Sequence, residues 1–63
     1  MHKNLRAEMV KAEMTQRVLS RITGISISAL SKKINGGSEF TFRECRQIKE
    51  ALKSELSIDE LFS

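Results

Sequence analysis

From Met14 to Ser38 the chain has no acidic residue, yet Arg17, Arg21, Lys32 and Lys33 place four positive charges there. Gln16, Ser26, Ser28, Ser31 and Asn35 are interleaved with them. Guanidinium, ammonium, amide and hydroxyl groups in one stretch suit hydrogen bonding to phosphate oxygens and to base edges. An ordinary solvated surface would carry the same cations, and the absence of any acid over so long a stretch tilts the reading toward a binding face. The net charge of +3 says less than this distribution, since Glu55, Asp59 and Glu60 make the tail acidic. One face of the molecule is expected to be basic.

Catalytic chemistry finds little to work with. No glycine-rich phosphate loop and no nucleophile paired with a base can be read in the sequence, so an enzyme is not expected. His2 and Cys45 fall short of a four-ligand zinc set, and a single cysteine forms no internal disulfide. Cys45 shares a helical stripe with Phe42 and Ile48, which reads as core, while His2 reads as a frayed terminal residue. No cofactor, metal or small-molecule substrate is implied. No apolar run approaches the roughly 20 residues of a membrane span, and the opening residues lack the apolar stretch of a secretion signal. The expectation is a soluble protein of the reducing cytoplasm.

The elements that must position these side chains are helices. At 63 residues, 40% hydrophobic and without proline, the chain predicts one all-α domain over residues 1–63, a compact bundle of five short helices. The first spans about Asn4 to Ala12, with Asn4 as cap and Leu5, Met9 and Ala12 on one face. The second follows Thr15 and buries Val18, Leu19 and Ile22 before Gly24 stops it. Ser26 caps the third, which turns Ala29, Leu30 and Ile34 inward and ends at Asn35-Gly36-Gly37. Thr41 with Glu44 forms a capping box for the fourth, stapled by Phe40 and Cys45, with Phe42, Cys45, Ile48 and Leu52 as its buried stripe. Ser57 with Glu60 repeats the box for a last turn from Ile58 to Phe62. Met9 and Met14 read as core filler, and the apolar tail of Leu56, Ile58, Leu61 and Phe62 as partly available for a dimer contact.

Two short helices around a glycine turn, from Thr15 to Gly36, form a helix-turn-helix pattern. Ser20 is small where the helices cross, Gly24 supplies the turn, Ile25 plugs it from below and Leu30 ties the helices together. With Ala29, Leu30 and Ile34 inward, the segment of about 27–34 shows Ile27, Ser28, Ser31 and Lys32 on its other side. Thr15-Gln16, Gly24 with Ser26, Asn35-Gly36 and the closing Ser57-Ile58-Asp59-Glu60-Leu61-Phe62 stand in an order that resembles the XRE group of phage Cro proteins and repressors, short prophage regulators in particular.

The resemblance implies a sequence-specific DNA-binding transcriptional regulator, of the lambda-repressor-like fold, that lays its third helix in the major groove. It further implies phosphate contacts for Gln16, Ser26 and Asn35 beside the exposed cation Arg17, and base-edge contacts for Ile27, Ser28 and Lys32, with Ser31 next to them. Gln16 and Asn35 also suit plain capping and turn roles, and Ile27 suits a peripheral core position. The expected partner is a double-stranded operator bound by a homodimer. The rival expectation is a protein-binding module, antitoxin-like or antirepressor, that keeps the fold and captures a partner with the apolar tail. Against the group's usual pattern, Glu13 stands in place of glycine, Thr23 in place of a large apolar residue and Lys33 at an often buried position. Lys53-Ser54-Glu55 also makes the link before the last helix longer than usual.

Overall fold

Hydroxyl groups start four of the five helices in the computed structural model, which describes residues 2–63. Thr15, Ser26, Thr41 and Ser57 each accept from a first-turn backbone N–H, satisfying a donor the helix itself leaves free. The elements are α1 (Lys3–Lys11), α2 (Gln16–Thr23), α3 (Ile27–Ile34), α4 (Phe42–Leu52) and α5 (Ile58–Leu61), with no strand among the described residues. Both expected capping boxes form: Glu44 accepts from the Thr41 N–H, and Glu60 from that of Ser57, each at 2.9 Å.

The first helix departs from expectation. It begins after His2, so Asn4 lies inside it and is not its cap. The Asn4 amide instead donates to the carbonyl of Glu60 at 2.7 Å, tying α1 to α5. His2 is not frayed either. Its backbone N–H donates to Ile34 O at 3.2 Å, and its ring meets Phe40 and Phe62 edge-on at 5.4 and 5.8 Å. Edge-to-face contact suits the ring quadrupoles, so the three rings brace the two ends of the chain together.

The first four helices each end on a residue with positive φ, and only two of these are glycines. Gly24 and Gly36 have φ of 78° and 88°, whereas Glu13 and Lys53 hold 54° and 52°. After α1, Met14 N–H reaches Met9 O and Glu13 N–H reaches Val10 O, the paired bonds of a Schellman motif. The position at which the group it resembles usually has glycine therefore keeps its left-handed backbone here and carries a glutamate, with a steric cost of about 1 kcal/mol. After α4, the long link is held in place by several bonds. Lys49 Nζ donates to the carbonyls of Ser54 and Leu56 at 2.9 and 2.6 Å, and Ser54 Oγ donates to Glu8 at 2.7 Å.

Leu5, Met9, Leu19, Leu30, Ile34, Ile48, Leu52 and Leu61 form the core, with Ala12, Met14, Ile25, Phe40, Leu56 and Phe62 packed against it. Three expected core residues are exposed instead. Val18 and Ile22 are 37% and 47% exposed, because two-turn α2 sends only Leu19 fully inward. Phe42, 68% exposed, is the first residue of α4 and points away from the stripe that Cys45, Ile48 and Leu52 bury. In the tail, Leu61 is fully buried and Leu56, Ile58 and Phe62 are half-buried. Burial, and then the neighbouring Glu44 carboxylate, push the Cys45 thiol above its ordinary pKa, leaving an inert core residue.

Glu13→Gly removes a side chain from a left-handed position without touching the core. It is expected to stabilise the fold by about 1 kcal/mol. For a domain of this size that raises the melting temperature by roughly 4–8 °C, measurable by thermal circular dichroism; an unchanged or lower midpoint refutes it.

Candidate nucleic-acid interface

The break between α2 and α3 is held by side-chain hydroxyls. Gly24 takes the left-handed conformation, and a Cβ there would meet nothing within 4 Å, so glycine is needed for its backbone and not for space. Both backbone groups of the next residue are then taken by hydroxyls of α2. Thr23 Oγ1 accepts from Ile25 N–H at 3.2 Å while donating to Leu19 O at 2.8 Å, and Ser20 Oγ donates to Ile25 O. This explains Thr23 at a position where an apolar side chain is usual. An apolar residue could not bond the turn. Ile25, pinned at both ends, packs its side chain on the core as expected.

That turn decides which side of α3 faces out. Leu30 and Ile34 are buried and Ala29 is half-buried, while Ile27, Ser28 and Lys32 are exposed and Ser31 is half-buried. Ser28, Lys32 and Asn35 follow at i, i+4 and i+7, which aligns them on one helix face. Ser26 is exposed at the start of α3; its oxygen accepts from Ala29 N–H at 3.2 Å, which leaves its hydrogen free to donate outward. Gln16, half-buried, opens α2, and Arg17 beside it is exposed. All eight residues expected at the site thus lie on α2, α3 and the caps of α3, with Gln16 and Ser31 the least accessible of them.

The charges differ in one respect from expectation. Lys33 is not a free cation: its ammonium bonds both oxygens of Glu44, at 2.7 and 2.9 Å, and lies 5.9 Å from the centre of the Phe40 ring. Burial alone would raise the Glu44 pKa. The hydrogen bond from Lys33, then that from the Thr41 N–H, outweigh it and hold the carboxyl below its ordinary value of 4.5. This is the ion pair formed among the described residues, so Arg17, Arg21 and Lys32 keep unopposed charge. One contact was not legible in the sequence. Arg6 of α1 donates through Nη2 to the side-chain oxygen of Asn35, which leaves the amide N–H groups of Asn35 directed elsewhere. Nothing in the spacing of residues 6 and 35 announces this pair, since it depends on how α1 crosses the end of α3.

A family model described as helix-turn-helix matches residues 5–61, nearly the whole chain. The chain belongs to the helix-turn-helix family. Membership supports a DNA-binding regulator of the XRE type, a regulatory family and not an enzyme family. No curated protein and no solved structure gives a significant match. Among the described residues of this helix-turn-helix protein no helix is long and apolar enough to cross a membrane, and no group of histidine, cysteine and acidic side chains is placed to hold a metal ion.

Two expectations test this geometry. Thr23→Val preserves shape but leaves Ile25 N–H without its partner, so denaturant titration should show a loss of about 1–3 kcal/mol; a neutral result would mean the hydroxyl does not hold the turn. Glu44 has a lowered pKa in the folded state, so its contribution is present above pH 4.5 and fades as pH falls through the folded value. Glu44→Gln should flatten the acid limb of the stability curve, and an unaltered limb would contradict the assignment.

Proposed function

We propose that this chain, acting as a single domain, is a sequence-specific transcriptional regulator of the Cro or repressor kind that works by occupying its operator. The observation that carries the reading is the free face of α3. Ile27, Ser28 and Lys32 are exposed there with no side-chain hydrogen bond or ion pair to the other described residues, and on α2 Arg17 and Arg21 are exposed without an acid to neutralise them. A helix presented in this way fits the major groove, where each base pair shows a distinct set of donors, acceptors and methyl groups. Lys32 donates to guanine O6 and N7, Ser28 bonds either kind of edge, and Ile27 packs on a thymine methyl, with Ser31 beside them. Gln16, Arg17, Ser26 and Asn35 hold phosphates, which sets register and orientation and carries no sequence information.

Two copies on a two-fold operator would read half-sites about one helical turn, roughly 34–36 Å, apart. Occupancy then excludes polymerase or a competing regulator from the same DNA, in the cytoplasm. The rival reading, a protein-binding module served by the apolar tail, is less favoured because Leu61 is in the core and Leu56, Ile58 and Phe62 are half-buried.

Binding to duplex DNA should weaken steeply and linearly on a logarithmic salt scale, because cations released from phosphates drive association. Lys32→Ala should change which base is preferred at one position, whereas Gln16→Ala weakens binding evenly across sequences. Selection from a randomised duplex pool followed by titration of individual duplexes separates the two. Equal, weak affinity for every duplex would reject a specific regulator, and a uniform loss from both substitutions would remove Lys32 as the base reader.

A further inference from the structure

Two glycines follow α3, and the backbone requires only the first. Gly36 has φ 88°, but Gly37 does not have a positive φ, so conformation alone would admit other residues there. Space is the constraint. A Cβ at Gly37 would lie 2.8 Å from Cγ of Lys32, 3.2 Å from its carbonyl oxygen and 3.4 Å from Cε. The Gly37 N–H donates to that same carbonyl at 2.8 Å, which keeps the two residues in register. The stem of Lys32 therefore runs along the bare backbone of Gly37, and its ammonium has no acidic partner.

We infer that Gly37 is a positioning residue for Lys32: its lack of a side chain leaves a seat for the lysine stem and sets the direction from which the ammonium approaches a base edge. The physical need is specific to lysine. Its ammonium is a point charge on four rotatable carbons, with none of the fixed fork geometry of arginine, so the protein must supply the orientation. A stem already lying on the backbone has fewer rotamers to lose when it meets the duplex, and side-chain ordering of this kind is a main cost of recognition. Because Cγ is close to the root of the side chain, a methyl group at residue 37 displaces the whole lysine and not only its tip. The inference rests on the reading of Lys32 as the base reader, and its test is built to fail separately from that reading.

The test compares wild type, Lys32→Ala, Gly37→Ala and the double variant by selection from a randomised duplex pool, followed by titration at two salt concentrations. Gly37→Ala is expected to lower discrimination about fivefold or more at the base pair that Lys32→Ala also affects. The salt dependence should be unchanged, since no charge is removed. The double variant should match Lys32→Ala alone, because the methyl group then has no stem to displace. Should Gly37→Ala also lower the melting temperature, the double variant recovers part of the loss if the clash is with the lysine. A Gly37→Ala profile identical to wild type, while Lys32→Ala changes preference, overturns the inference and spares Lys32 as reader. An equal effect of Gly37→Ala with and without Lys32, or a uniform loss across sequences, overturns it as well. If Lys32→Ala leaves the profile unaltered, both readings fall.

Discussion

The backbone of Ile25 carries the constraint from which the rest of the molecule follows. A change of direction between two helices exposes an N–H and a C=O that neither helix can bond, and leaving them unpaired beside the core would be costly. Thr23 and Ser20 supply the missing partners from the helix just completed. Gly24 accepts the left-handed conformation without strain. Once the turn is fixed, the apolar side of α3 has only one place to go, and the polar side is left to solvent. The free face is thus a consequence of two hydroxyls and a glycine that do not belong to it.

A second coupling fixes the far end of α3. Lys33, on the helix, and Glu44, in the cap of α4, share an ion pair that is also part of the capping box, so the start of one helix registers the end of another. The side chains are each only 17% exposed, which makes this pair less open to screening by salt than a surface bridge. Its presence also separates two adjacent lysines by role. Lys33 is consumed internally, and Lys32 remains available.

Much of this was legible in the sequence because it is local. Caps, capping boxes and helix-ending glycines act over three or four residues, and Thr15, Ser26, Thr41 with Glu44, Gly24 and Gly36 all stand where the chain alone places them. The eight residues expected at the candidate interface also fall on α2, α3 and their flanks for this reason. What the sequence hid depends on how helices cross. Periodicity assigned Val18, Ile22 and Phe42 to the core, but a two-turn helix has too little length to bury a wide stripe, and a first-turn residue can point away from it. Asn4, His2 and Arg6 each bond a partner some 30 or more positions away, and short-range rules carry no information at that distance.

The bracing of the two chain ends bears on the order in which the protein is made. Residues 2 and 4 find their partners near residue 60: the His2 ring against Phe62, and the Asn4 amide on the carbonyl of Glu60. During synthesis the first helix emerges well before these partners, since Glu60 is translated 56 residues after Asn4. Closure of this domain must therefore wait until Phe62 has left the ribosome, and a product stalled before it would hold its helix-turn-helix without the clasp that locks it.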